Sequence, residues 1–252
     1  MTIALYLAYL LLPIALLAVG AFGESWTNSL LPSGFTLRWF GDLIADGSFR
    51  RAFWTSLLVA AGTCAAAAVL ATPLAYVLYH RGQQGSAIAG RLLASLPVAV
   101  PALTLGFGYV LVFSSDQMPW LGTLPLLIAA HVVLTLPYLT QTLVADLRHL
   151  GLADLEACAA TLGASPSRQF WTVALPCLRH SLLSGLVMVA ALSIGEFQIS
   201  NLIASFKFRT YPVVLLQAFY GATGYACAAT VVLLVLALAA AKLSAQATGA
   251  AR

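Results

Sequence analysis

Glu196 is a carboxylate inside a long apolar run, with Ser193, Gln198, Ser200 and Asn201 close beside it. If the run is one helix starting at Leu182, Glu196 lies about 21 Å along it at 1.5 Å per residue, in the outer part of a bilayer. An acid at that depth costs about 3 kcal/mol on insertion scales and marks a functional site by default. On such a helix Ser193 and Phe197 share one face, and Glu196 and Ser200 the next. Two chemistries fit: a carboxylate that lines or gates a polar path, or one held at the outer interface or paired with another subunit. The sequence leaves both open. His131 is the only histidine well inside an apolar run. It reads as a packed or hydrogen-bonded helix residue rather than a base or proton carrier.

Other chemistries find no support. The chain has no G-x-x-x-x-G-K-[ST] loop to cradle a nucleotide phosphate, no G-x-G-x-x-G and no H-E-x-x-H. A membrane-embedded serine protease would need a nucleophile such as that of G-x-S-x-G. Gly163-Ala164-Ser165-Pro166-Ser167 lacks the final glycine. Cys64, Cys158, Cys177 and Cys227 have no metal-ligand spacing, so all four are expected to be small packed hydrophobes. No metal site and no nucleic-acid partner is expected.

The elements that position these residues follow from composition. Apolar residues make up 61% of the 252, charged residues only 8%, and the mean hydropathy is +0.94. Soluble domains carry about a quarter charged residues. Runs of about 20 apolar residues read as membrane-spanning helices, and the continuous, non-alternating runs exclude a strand barrel. The expected fold is an all-α membrane protein with six transmembrane helices: Ile3–Phe22, Phe53–Tyr79, Leu92–Phe113, Leu124–Leu147, Leu182–Ile203 and Tyr225–Ala241. The first reads as an uncleaved signal-anchor, because it lacks a basic start. The third contains Pro97 and Pro101, which remove backbone donors. That gives either a packing kink or a bent helix lining a translocation path. In the segment 23–52, the run Phe35–Phe40 reads as a short aromatic element at the membrane interface.

An even number of spans places both termini on one side. With cytoplasmic termini, seven basic residues fall inside (Arg81, Arg91, Arg148, Arg168, Arg179, Lys242, Arg252) and five outside (Arg38, Arg50, Arg51, Lys207, Arg209). The asymmetry is small but of the right sign.

One segment fits neither lipid nor a catalytic site. From Glu156 to Pro176 the chain reads EACAATLGASPSRQFWTVALP. Leu155, Ala159 and Leu162 form a short apolar stripe. Asp154 is placed to cap that helix, and Glu156 to favour its dipole. Gly163 suits the left-handed turn that ends it. Ser165-Pro166 then starts a second helix, with Leu175-Pro176 expected to redirect the chain. Two turns are too short to stand alone in water, so the hairpin is expected to meet a partner. The small residues Ala157, Ala159, Ala160 and Ala164 would let that partner approach closely.

At these residues the chain resembles the EAA motif of permease subunits of binding-protein-dependent ABC importers. Gly163, Val173 and Leu175-Pro176 match the family's spacing, and the five spans from Phe53 to Ala241 match the number and placement of its type I (MetI-like) core. The acidic start departs from it. Aligned on Gly163, the family's glutamate falls at Ala157 and its two small residues at Cys158 and Ala159, so Glu156 sits one place early.

The resemblance implies a domain plan: an N-terminal helix and periplasmic segment (1–52), a permease core (53–241) with a cytoplasmic coupling loop at about 150–180, and a cytoplasmic tail (242–252). It assigns Glu156, Ala157, Cys158, Ala159, Gly163, Ala164 and Pro176 to coupling with a cytoplasmic ABC ATPase dimer. That ATPase would bind ATP and Mg, while this chain binds no cofactor. It further implies a second permease subunit, identical or homologous, and a periplasmic solute-binding protein. Pro97, Pro101, Ser193, Glu196, Phe197 and Ser200 become candidates for the path or its gate. The location is the bacterial inner membrane. Gly195-Glu196-Phe197 and Thr210-Tyr211-Pro212 are similar to parts of permeases for polyamines, ferric iron, thiamine, molybdate or aminoethylphosphonate, and Leu31–Phe40 resembles the polyamine and aminoethylphosphonate branch most. An ion-driven carrier dependent on Glu196 is the alternative.

Overall fold

The computed structural model describes residues 2–26, 31–83 and 100–249. Its helices are α1 (Thr2–Phe22), α2 (Arg38–Ala45), α3 (Gly47–Gln83), α4 (Ala102–Phe113), α5 (Leu124–His149), α6 (Leu152–Thr161), α7 (Pro166–Gln169), α8 (Leu175–Gly195), α9 (Gln198–Ile203), α10 (Tyr211–Phe219) and α11 (Thr223–Gly249). A π-helical turn, Phe170–Ala174, joins α7 to α8. Among the described residues the only β pairing is the isolated Ser25–Ser33 bridge.

Among the described residues, four helical stretches are long and apolar enough to cross a bilayer: Leu5–Phe22, Gly47–Gly82, Leu124–His149 and Pro166–Gly195. Two shorter apolar helices, Ala102–Phe113 and Thr223–Leu238, stand where the third and sixth spans are expected. Leu5, Tyr9, Val69, Leu111 and Leu238 point outward, the reverse of a water-soluble surface and suited to lipid.

Two compact units divide the chain, Met1–Thr55 with Arg209–Gly249, and Ser56–Phe208. In the first, α1 and α2 pack on α11. A Cβ on Gly20 would overlap the Trp26 ring, and one on Gly224 the Trp39 ring, so both glycines admit an indole. Phe49 sits edge-on to Tyr211 and Tyr225 at 5.3 and 5.2 Å. Asp46 starts α3 by accepting the Ser48 N–H at 2.6 Å and the Tyr225 hydroxyl at 2.8 Å.

In the second unit α5 lies along α8, where Gly185 leaves room for Leu139. Ala67, Ala71 and Ala75 recur every four residues and form the small face of α3 in a core with Leu139, Leu143, Leu147, Leu178 and Val189. Small faces of this kind let helices approach where lipid supplies no hydrophobic drive. A second cluster brings Ile199 and Ile203 of α9 against Leu126, Leu127 and Ala130 of α5.

Several expectations are corrected. The fifth span is not one helix over Leu182–Ile203. It begins upstream and stops at Gly195, and a separate short helix follows. Pro176 does not redirect the chain, because it occupies the first turn of α8, where proline is tolerated. The wider π turn directly precedes it, with Leu175 N–H bonded to the Phe170 carbonyl. Pro101 does not kink a helix. It precedes the first residue of α4, and Pro97 lies outside the described residues. The aromatic element starts at Arg38 rather than Phe35, with Phe35 stacked on Phe22. Helix α10 is unanticipated, although Thr210 at its N-cap position and Pro212 in its first turn are start signals.

Candidate functional site

The hairpin from Leu152 to Gln169 is built by local rules. Helix α6 begins at Gly151, whose φ of +63° is left-handed, so Asp154 lies inside the first turn and is not the cap. It ends in a Schellman motif. Gly163 N–H bonds the Ala160 carbonyl at 2.9 Å and Ala164 N–H the Ala159 carbonyl at 3.0 Å. Gly163 has φ +80° and open space around it. Ser165 accepts the Arg168 N–H at 3.4 Å and Pro166 follows at the helix start. The left-handed glycine and the serine cap are both where the sequence places them.

The face that looks out carries two residues of the apolar stripe. Leu155 is exposed and Leu162 is 88% exposed, while Leu152 and Glu156 are buried. Ala157, Cys158 and Gly163 are exposed, Ala159 and Ala164 half-buried, and Pro176 exposed. Cys158 is therefore not a packed hydrophobe, whereas Cys227 is buried.

Glu156 does not merely balance the helix dipole. It is only 7% exposed. Its Oε1 accepts the Tyr76 hydroxyl at 2.6 Å, and its Oε2 lies 3.3 Å from His80 Nε2. The latter approach suits an ion pair with a protonated imidazole but is not aligned as a hydrogen bond. Tyr76 and His80 stand about 80 residues upstream, and nothing in the sequence links them to Glu156.

The second constellation lies where the fifth span breaks. Glu196 leaves the helix with ψ 121° and turns its carboxylate onto the start of α9. Oε1 accepts Ile199 N–H at 2.8 Å, and Oε2 accepts Ser200 N–H and the Ser200 hydroxyl, both at 2.9 Å. Donors that a helix start leaves orphaned are thereby met inside the protein. His131, wholly buried, joins the two sides of the break: Nδ1 meets Ser193 Oγ at 2.8 Å and Nε2 meets Ser200 Oγ at 2.9 Å. Ser200 donates its proton to Glu196, so it accepts from His131 Nε2–H, which leaves Nδ1 to accept from Ser193. One neutral tautomer satisfies the whole chain. Glu196 Oε2 is 3.7 Å from Nε2. Of the path candidates, Ser193, Glu196 and Ser200 are thus brought together. Phe197 sits at the N-cap position of α9, and Pro101 precedes the helix that packs on α9. Among the described residues no His, Cys, Asp or Glu cluster is placed to hold a metal ion.

Residues 86–246 match the family of binding-protein-dependent transport system inner membrane components. The chain belongs to this family. It is a permease subunit of an ABC importer. The permease is 30% identical over 215 residues to a provisionally named 2-aminoethylphosphonate transport system permease protein of Salmonella typhimurium, covering 84% of this chain and 78% of that one. It is 26% identical to the putrescine transport system permease protein of Escherichia coli, over 83% of this chain and 75% of that one. To the sulfate transport system permease protein of Synechocystis it is 28% identical, over 94% and 87%. The fold is that of a chain in a bacterial alginate ABC transporter crystallised with an alginate-bound periplasmic protein. The TM-score is 0.76 at 17% identity, over 96% of the permease and 89% of that chain.

Proposed function

We propose that this permease forms half of a translocation path with a second, identical or homologous, permease subunit. A periplasmic solute-binding protein delivers the solute. A cytoplasmic ATPase dimer, which holds the ATP and Mg, drives the cycle by docking on the hairpin Leu152–Gln169. The hairpin and both termini then face the cytoplasm. The carrying observation is the hairpin's exposed face: Leu155, Leu162 and Cys158 point away from the body while the acid points in. Exposed apolar side chains outside a bilayer call for a cover, and the small neighbours Ala157, Ala159 and Ala164 let one come close. The solute proposed is a small amine-bearing compound, 2-aminoethylphosphonate or a polyamine such as putrescine. The 2-aminoethylphosphonate and putrescine permease relatives and the Leu31–Phe40 resemblance support it, whereas the sulfate permease relative does not. Glu196, Ser193, Ser200 and Phe197 are assigned to the path or its gate.

A membrane-impermeant maleimide tests the docking. In inverted inner-membrane vesicles it should modify Cys158, and the co-expressed ATPase should protect that thiol. Modification from the periplasmic side only, or failure of the ATPase to co-purify, overturns the proposal. Proteoliposomes of the complete importer should take up labelled 2-aminoethylphosphonate or putrescine only with ATP. ATP-independent uptake collapsed by an ion gradient uncoupler would favour the ion-driven carrier.

A further inference from the structure

We propose that Tyr76, Tyr79 and His80 are positioning residues for energy coupling: they anchor the hairpin to the membrane-spanning helix α3, so that a push on the hairpin moves α3. This rests on the coupling reading above. The three residues stand at i, i+3 and i+4, one face of a helix. Tyr76 donates to Glu156 at 2.6 Å, and His80 approaches the other carboxylate oxygen at 3.3 Å. The Tyr79 hydroxyl accepts the Ala153 N–H at 3.2 Å. The Tyr76 ring is also edge-on to Phe170 at 5.1 Å and to His80 at 4.5 Å. Helix α6 is therefore gripped by hydrogen bonds, and the π turn that follows the hairpin by a ring contact.

The chemistry sets this apart from ordinary packing. A carboxylate taken out of water must have its lost hydration replaced, and a leucine there would avoid that cost. A hydroxyl-to-carboxylate bond is short, directional and stronger than a neutral one. It holds one rotational setting of α6 against α3, which an apolar contact would let slide. The acid that stands one place early relative to the family pattern is thus directed inward, and the outer face is left for the ATPase.

The test uses the complete importer in proteoliposomes, with Tyr76→Phe, Glu156→Gln and the double variant. ATPase co-purification should persist, because the outer face is untouched. Solute taken up per ATP hydrolysed should fall at least about five-fold, a typical allosteric coupling. The solute measured is whichever of 2-aminoethylphosphonate and putrescine the wild type accumulates. The double variant should be no worse than the more impaired single one, since both remove the same bond. His80→Gln should lower the ratio less. Unchanged uptake per ATP in Tyr76→Phe overturns the anchor, as does a loss that only mirrors the amount of folded complex. A wild-type complex that binds no ATPase overturns the coupling reading instead.

Discussion

Replacing Glu196 by glutamine tests whether its carboxylate is what permits a helix break at membrane depth. The carboxylate meets three donors and no acceptor: two backbone N–H groups and the Ser200 hydroxyl, at 2.8–2.9 Å. A glutamine has one acceptor oxygen. Turned to Ser200, it sets its own NH2 against the Ile199 N–H; turned to Ile199, it faces both Ser200 donors with a donor. Bonds to a charged partner are worth about 1.5–3 kcal/mol each. Removing a buried charge returns part of that loss, so a net cost of about 2 kcal/mol is expected. In a chain of this size that lowers the melting temperature by about 4–8 °C. Ser193→Ala is the contrast, since it removes one neutral bond to His131. Such bonds average about 0.6 kcal/mol within membrane proteins, and this one should shift the midpoint by no more than about 2 °C. The assay is thermal unfolding of the solubilised complex, followed by a thiol-reactive dye on the cysteines that unfolding uncovers. A Glu196→Gln midpoint at or above wild type, or a Ser193→Ala loss as large, refutes the capping argument.

Gly163→Ala meets open space but must hold φ +80°, so it should destabilise the hairpin by about 1 kcal/mol through the backbone alone. Asn there should cost less, and Gly163→Asp should reduce uptake while insertion persists; uptake and membrane yield measured together decide this. Gly185→Leu should push α5 and α8 apart, because even a Cβ overlaps Leu139. About 1–3 kcal/mol is expected for overpacking, with Gly185→Ala milder, read as melting temperature. Burial acts to raise the Asp46 pKa, but the Tyr225 hydroxyl, the Ser48 and Phe49 N–H groups and the Arg51 charge outweigh it and hold the carboxyl below its ordinary value. A depressed folded pKa means stability that is full above the ordinary value of about 4 and is lost as pH falls through the folded value. The gap in melting temperature between wild type and Asp46→Asn should therefore be open at pH 6 and narrow toward pH 3.

The membrane helices were legible because length and hydropathy suffice: α1, α3 and α5 follow apolar runs that leave no other solution. The hairpin's glycine and its Ser-Pro start were legible for a local reason, since a left-handed turn and a proline-led helix need those residue types. What was hidden is non-local. Apolar residues continue past Glu196, so a hydropathy count runs straight through a break that the Glu196 carboxylate caps and that His131 bridges from another helix. The inward turn of Glu156 depends on two residues of α3 far away in sequence. The role of Pro176 is not legible because a proline's effect depends on the turn before it, and the π turn leaves no periodic trace. Helix α10 is short, and its Thr210 and Pro212 signals flank an apolar stretch too brief to stand out.

That π turn carries one extra residue relative to a regular helix of the same reach. Deleting a single residue within Phe170–Ala174 would let the rod close into uninterrupted α-helix. The adjoining hairpin would then be turned by about 100° about the axis of α8, the angle per residue of an α-helix, against its bonds to Tyr76 and Tyr79 of α3. The hairpin would keep its sequence, caps and glycine, yet turn a different side outward. The bearing of the hairpin's exposed face is set by the length of this five-residue turn.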